Sequence, residues 1–357
     1  MYLGSAKAFS MKVRYILSII LVLIVILIVK TCHDAGAFKS LVPHTPGKTL
    51  EMYTSIPGTE DIDIDRDNGL LFISSTNRRE NNSKTDGIYL LDLKKEGSTP
   101  RKLITTYSGD FHPHGISLYK QDSTLYLHAV NHKDNGDFIE MFEFRNNILI
   151  HLLSISSEQM CCPNDVVAVG KFMCYITNDH GYPSGIKRTL EDYLKIPKAY
   201  ILYYNGNTFS KAFEGLNYAN GIDISPDGSL LYATHTTGQE MLTFQIDKSS
   251  GEISLLDRKD LNTGVDNIDV DADGNIWIGC HPKLFDFVAH AKDSTQYSPS
   301  QVVRLIPGKE VHTEYHVDEI FLDDGKTISG SSVGLHYQGE LFIGVVFDRK
   351  LMRINLD

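Results

Sequence analysis

The chain has 357 residues, 42% of them apolar, with 45 acidic against 34 basic side chains and a formal net charge of −11. The apolar content suffices for a sizeable core, and 18 Tyr with 16 Phe suit β-rich packing. An acidic chain without a Lys/Arg block repels a phosphate backbone, which weighs against nucleic acid as a partner.

The first 30 residues stand apart. Lys12 and Arg14 precede an apolar run from Tyr15 to Val29, with Ser18 its one polar residue and Lys30 behind it. The run is long for the core of a cleaved signal and short of the ~20 residues of a comfortable membrane span. The expectation is an uncleaved signal anchor and linker over residues 1–37, holding a globular body of residues 38–357 to a membrane outside the cytoplasm. Ala35-Gly36-Ala37 is the rival cleavage site, which would leave the body secreted, and Met11 is an alternative start.

The five cysteines, Cys32, Cys161, Cys162, Cys174 and Cys280, lack zinc-ligand spacing. Adjacent Cys161 and Cys162 do not pair readily in relaxed geometry. The odd count leaves at least one thiol free, and Cys174 is a candidate partner for either neighbour.

From residue 48 onward strand signals dominate. Six short polar turns each introduce one: Glu60-Asp61, His114-Gly115, Asn164-Asp165, Asn220-Gly221, Asp266-Asn267 and Ser331-Ser332, at intervals of 46 to 65 residues. About ten residues after each comes a second strand, over 70–74, 125–130, 172–176, 230–233, 275–279 and 340–344. Gly-containing hairpin signals join several of these pairs, among them Asp67-Asn68-Gly69 and Pro226-Asp227-Gly228. Third and fourth strands follow, as at 87–92 and 241–245. This period is that of a four-stranded blade, and it predicts an all-β chain folded as a six-bladed β-propeller with a central tunnel. Residues 48–53 would complete the last blade beside residues 351–354, with no cysteine clasp. Two insertions, 182–198 with a short helix over 189–194 and 281–297, would wall the tunnel mouth. Asn81-Asn82-Ser83 fits an N-glycosylation acceptor.

Equivalent turns of successive blades meet around one axis, so Glu60, Asn164, Asn220, Asp266 and Asn267 should gather at one tunnel mouth. Asn and Asp favour turns on their own account, but five oxygen donors at one point of the period describe a hard-cation site. Calcium accepts 6–8 oxygen ligands, side-chain amides included, and no His/Cys cluster invites zinc. Asp61 and Asp165 sit one residue further on and should point the other way, down the tunnel. There they either hold a second ion, helped by a backbone carbonyl near Ile116, or accept backbone amides. His114 occupies the one early turn without a hard oxygen, and His132 ends the adjacent strand. Two imidazoles at the mouth could activate water near neutral pH. His180, His281 and Ser331 are weaker candidates for the pocket lining.

These residues together resemble the paraoxonase/arylesterase family. The matching stretches are Glu60-Asp61, Phe111-His-Pro-His-Gly-Ile-Ser117, Val130-Asn-His132, Pro163-Asn-Asp-Val-Val-Ala-Val-Gly170, Thr177-Asn-Asp-His180, Tyr218-Ala-Asn-Gly-Ile222, Val265-Asp-Asn-Ile268 and Gly279-Cys-His-Pro282, in order along residues 57–347. The resemblance implies two calcium ions: a catalytic one on Glu60, Asn164, Asn220, Asp266 and Asn267, and a structural one on Asp61, Asp165 and the Ile116 carbonyl. It also implies that His114 and His132 form a catalytic dyad and that the substrates are small lactones and esters, with organophosphates as variable extras. Three features depart from the family. The disulfide joining the chain ends in animal members is missing, segment 77–84 is short and polar, and the insertion after Tyr182 diverges. Two other readings use the same fold, a sugar-lactonase-like metal hydrolase and a non-enzymatic binding propeller. Sugar lactonases generally lack the His114/His132 pair.

Overall fold

The computed structural model describes residues 3–80, 83–308 and 314–356, with side chains from residue 12 onward except that of Ser83. Asn81 and Asn82 of the glycosylation pattern lie outside the described residues. The body is a ring of six sheets, the six-bladed propeller expected. Five sheets have four strands, and the second has a fifth because residues 104–105 add in parallel to Ile148–Ile155. The innermost strands, in blade order, are Ile62–Asp65, Pro113–Gln121, Pro163–Gly170, Ala219–Ile224, Gly264–Val270 and Ser331–Tyr337.

Each blade buries both faces against its neighbours, so the apolar side chains collect in the seams between blades. Phe72, Leu90, Leu127 and Phe142 fill the seam between blades 1 and 2, and Trp277, Phe321, Ile343 and Val345 that between blades 5 and 6. Fully burying one such side chain contributes about 1.5–3 kcal/mol. The ring closes as expected: Lys48–Tyr53 pairs antiparallel with Leu351–Asn355, through hydrogen bonds and packing alone. Around the tunnel the blades approach closely, and two glycines make room. A Cβ on Gly115 would stand 2.2 Å from Asp165 Oδ1, and one on Gly221 2.6 Å from the Asn267 Cα.

Among the described residues three α-helices leave the ring. Helix α1, Leu3–Asp34, extends well past the apolar run at both ends, and its Lys12–Asp34 part is long and apolar enough to cross a membrane. Helices α2, Ile186–Leu194, and α3, Leu284–Lys292, lie in the two predicted insertions. The end of α1 is docked on the ring near the expected boundary at residue 37. Gln239 donates to the Asp34 carbonyl (2.8 Å), the Leu284 amide to the Ala35 carbonyl (3.0 Å), and Lys195 pairs with the Asp34 carboxylate (3.0 Å). All five cysteines are free, so neither Cys161 nor Cys162 is joined to Cys174.

Candidate metal centre and active site

The polar pairs expected in turns ahead of the strands lie, in blades 2 to 6, inside the innermost strands. Each coincides with a break of register, between Pro113 and Ile116, Pro163 and Val166, Ala219 and Ile222, Val265 and Ile268, and Ser331 and Val333. A bulge leaves residues unpaired and re-aims their side chains. Here it splits consecutive side chains between two cavities on the axis.

The larger cavity, about 690 Å³, is lined by Glu60, His114, Asn164, Asn220, Asp266 and His281 at its floor, with Arg78 and Tyr218 beside them. Its walls are Thr189 and Asp192–Lys195 around α2, Leu284, Phe285, Phe287 and Val288 in α3, and Leu27, Lys30, Thr31 and Asp34 of α1. Asn267 is fully buried beneath Glu60 and donates its amide to the Glu60 carboxylate (2.9 Å) and carbonyl (3.0 Å). Asn220 donates to the Thr236 hydroxyl (2.9 Å). These bonds fix the amide orientations and leave the oxygens free. Four buried oxygens of this group have no hydrogen-bond partner: Glu60 Oε2, Asn164 Oδ1, Asn220 Oδ1 and Asn267 Oδ1. Leaving one such atom unsatisfied costs about 1–3 kcal/mol, and four together mark a place for a bound group. The fifth donor, Asp266, is held through Oδ2 by His281 Nε2 at 2.7 Å. His281 in turn stacks on Phe287 of α3 (ring centroids 3.9 Å apart), so it braces a candidate ligand as well as lining the cavity. Among the described residues no group of three or more His, Cys, Asp or Glu side chains forms a metal cluster. The donors are three amides and two carboxylates, a set that fits calcium and not zinc.

The smaller cavity, about 20 Å³, lies deeper and is lined by Asp61, Ile116 and Asp165, with Asp63, Asp223 and Asp269 further along. Asp61 accepts the amides of Ile62 (2.9 Å) and, across the seam, Ile116 (2.6 Å). Asp165 does the same with Val166 (2.7 Å) and Ile222 (2.9 Å). Asp63 and Asp223 repeat the pattern one turn of the pleat lower, so stapling adjacent inner strands through Asp is a device of this fold. Burial, then the neighbouring carboxylates Asp165 and Glu60, pushes the Asp61 carboxyl well above its ordinary range. Burial does the same to Asp165, and its backbone amides only partly offset it. A cation between the two would relieve this directly.

The two imidazoles lie side by side. His114 Nδ1 and His132 Nε2 are 2.8 Å apart, and His132 Nδ1 is 2.7 Å from Asp137 Oδ1. His132 and Asp137 face each other across the blade-2 hairpin. With Asp137 ionised, His132 carries its proton on Nδ1, so Nε2 accepts from His114 Nδ1–H. The lone pair of neutral His114 is then on Nε2, 3.2 Å from Glu60 Oε1. Burial holds the His132 imidazole below its ordinary value, against the pull of Asp137. Burial works to raise the Glu60 carboxyl, but its attraction to the His114 imidazole when that ring takes up a proton, to the Arg78 guanidinium and to the Asn267 amide brings it below its ordinary value.

His180 and Ser331 do not reach the cavity floor. His180 is buried between Asp179 (2.6 Å) and Asp192 of α2 (3.0 Å), with its ring edge-on to Tyr218. Its proximity to the pocket wall is real, but its bonds anchor α2. Ser331 is fully buried, and its hydroxyl bridges the Cys280 and Gln301 backbone. Its side chain serves the seam, whereas Ser332 reaches the axis and donates to the Glu60 carbonyl. Asp137 and Arg78 were not singled out in the sequence. The hairpin signal Asn135-Gly136 pairs Asp137 with His132 and could have found the first; nothing local distinguishes Arg78.

Comparison with known proteins places the fold and the family. The model of the arylesterase family matches residues 46–354. The chain is 35% identical to human serum paraoxonase/arylesterase 1 over 311 residues, covering 82% of this chain and 85% of that protein. It is 34% identical to human serum paraoxonase/arylesterase 2, with the same coverage. Among solved structures, regucalcin from Agrobacterium tumefaciens, described as a calcium-binding protein, superposes with a TM-score of 0.52 at 15% identity, covering 88% of this chain and 95% of that one. A luciferin-regenerating enzyme does so with a TM-score of 0.52 at 12% identity, covering 87% and 95%. These two share the fold. On the family match and the identity to its human members, the chain belongs to the paraoxonase/arylesterase family.

Proposed function

We propose that this protein is a calcium-dependent hydrolase of lactones and esters, acting outside the cytoplasm on a body tethered by α1. The four unpartnered oxygens of Glu60, Asn164, Asn220 and Asn267 carry this reading; Glu60, Asn164, Asn220 and Asp266 line one cavity floor, and Asn267 is hydrogen-bonded to Glu60. Those five residues would hold the catalytic ion, and Asp61, Asp165 and Ile116 the structural one. When bound, calcium supplies a Lewis acid that polarises the substrate carbonyl. The protein's own part is proton transfer. His114 Nε2 takes a proton from the attacking water, and the resulting imidazolium is stabilised by Glu60 on one side. On the other side its Nδ1 proton is shared with His132, whose orientation Asp137 fixes. The largely apolar walls from α1, α2 and α3 receive the acyl or aryl part of the substrate and limit bulk water around it. The family's variable organophosphatase activity would use the same floor.

The test is a panel of lactones and aryl esters hydrolysed by the full chain in detergent. Activity should vanish on chelation, return with calcium, and be lost for every substrate in Asp266→Ala. Any hydrolysis that survives this substitution contradicts the metal assignment.

A further inference from the structure

Cys161 and Cys162 lie outside the machinery just described, yet their sulfurs are 2.8 Å apart. In an extended strand adjacent side chains point to opposite faces. Here a bend ahead of Pro163 brings both to the same side. Cys161 is half-buried and reachable from solvent, whereas Cys162 is buried. The hydrogen bond with Cys162 holds the Cys161 thiol below its ordinary value, which favours the reactive thiolate. Cys162 Sγ is 3.7 Å from the Tyr182 carbonyl and accepts from Arg188 Nη1 at 3.7 Å. Arg188 belongs to α2 and also bonds the Pro183 carbonyl (3.0 Å) and Asp179 (3.4 Å). The dithiol therefore sits at the root of the helix that walls the large cavity.

We propose that Cys161 and Cys162 form a reversible thiol–disulfide site that sets how firmly α2 is held. The oxidant is a low-molecular-weight disulfide. Cys161 thiolate attacks one of its sulfurs and releases one thiol, leaving a mixed disulfide on Cys161. Cys162 then attacks the Cys161 sulfur, the Cys161–Cys162 bond forms, and the second thiol leaves. Two cysteines are oxidised, one disulfide is reduced to two thiols, and the protons of the cysteines end on the released thiols. The small ring so formed is strained, which keeps it easily reducible. Oxidation removes the Cys162 sulfhydryl from the Tyr182 carbonyl and draws its sulfur away from Arg188.

The experiment treats the folded full chain in detergent with excess oxidised glutathione, alkylates the remaining thiols and maps the peptides by mass. The peptide holding Cys161 and Cys162 should be two hydrogens lighter and unalkylated, while buried Cys174 and Cys280 stay reduced. Tryptic cleavage at Lys187 and Arg188 should quicken about fivefold, the equilibrium change expected from losing one ordinary hydrogen bond. A reductant should reverse it, and Cys161→Ser should not respond. A peptide that keeps both thiols, or stops at a glutathione adduct on Cys161, overturns the site. An internal disulfide without faster cleavage overturns its coupling to α2. Phenylarsine oxide, which bridges adjacent thiols, gives a check on the wild-type chain: it should block the oxidation, and failure to do so counts against the pair.

Discussion

His114 owes its proposed role to neighbours on both nitrogens. Nδ1 is engaged by His132, and Nε2 faces the Glu60 carboxylate and the cavity. General-base catalysis of this kind is worth about 10²–10⁴-fold. His114→Gln should therefore lower kcat by that order while calcium binding, measured by titration calorimetry, is retained. Asp137 lines neither cavity, and in the proposed mechanism it would fix the His132 tautomer. Asp137→Asn should lower kcat less than His114→Gln, leave KM unchanged, and shift the pH–rate profile. If Asp137→Asn keeps both the rate and the profile, Asp137 does no more than cap a hairpin.

At the scale of elements, α2 hangs on buried charges. Burial disfavours the His180 imidazolium, but its hydrogen bonds to Asp179 and Asp192 outweigh this and raise its pKa to about 9. A histidine raised on folding stabilises fully below its unfolded value of about 6.5 and loses that contribution as pH climbs through the folded value. Tryptic cleavage within α2 should accordingly accelerate between neutral pH and about 9, and His180→Gln should be fast throughout. A flat pH response in the wild type would remove His180 from the anchoring of α2. The same element marks where sequence reading stops. The period and the amphipathic stretch announce a helix after Tyr182, and the hard donors at one point of the blade announce a cation. Both are one-dimensional patterns. Three facts depend on contacts across seams or on local bends: that Ser331 bonds the Cys280 and Gln301 backbone, that Asp63 and Asp223 repeat the stapling of Asp61 and Asp165, and that Cys161 meets Cys162. No spacing encodes them. The bulges that aim Asn164 and Asp165 into different cavities are equally silent, because a one-residue change of register leaves composition untouched.

Across the whole molecule, the floor of the large cavity is also where side chains of several blades meet. Glu60 comes from blade 1, Asn164 from blade 3, Asn220 from blade 4, and Asp266 with Asn267 from blade 5; Asp61 and Asp165 add a second bridge between blades 1 and 3. Elsewhere neighbouring blades meet through apolar seams and a few side-chain-to-backbone hydrogen bonds such as those of Asp63, Asp223 and Ser331, and closure of the last blade rests on the pairing of Lys48–Tyr53 with Leu351–Asn355 and no covalent link. The proposed ions, shared between blades, would bind the folded ring and not the open chain, and would stabilise it by mass action. Each would contribute about 4 kcal/mol when free calcium exceeds its dissociation constant by ~1,000-fold. Chelation should therefore lower the thermal midpoint as well as abolish activity. Asp61→Asn, which weakens only the deeper site, should lower the midpoint while some calcium-dependent turnover persists. Scanning calorimetry of the full chain with calcium, with chelator, and with calcium restored makes the comparison. A midpoint that does not move on chelation would mean that closure strand and seams hold the ring unaided.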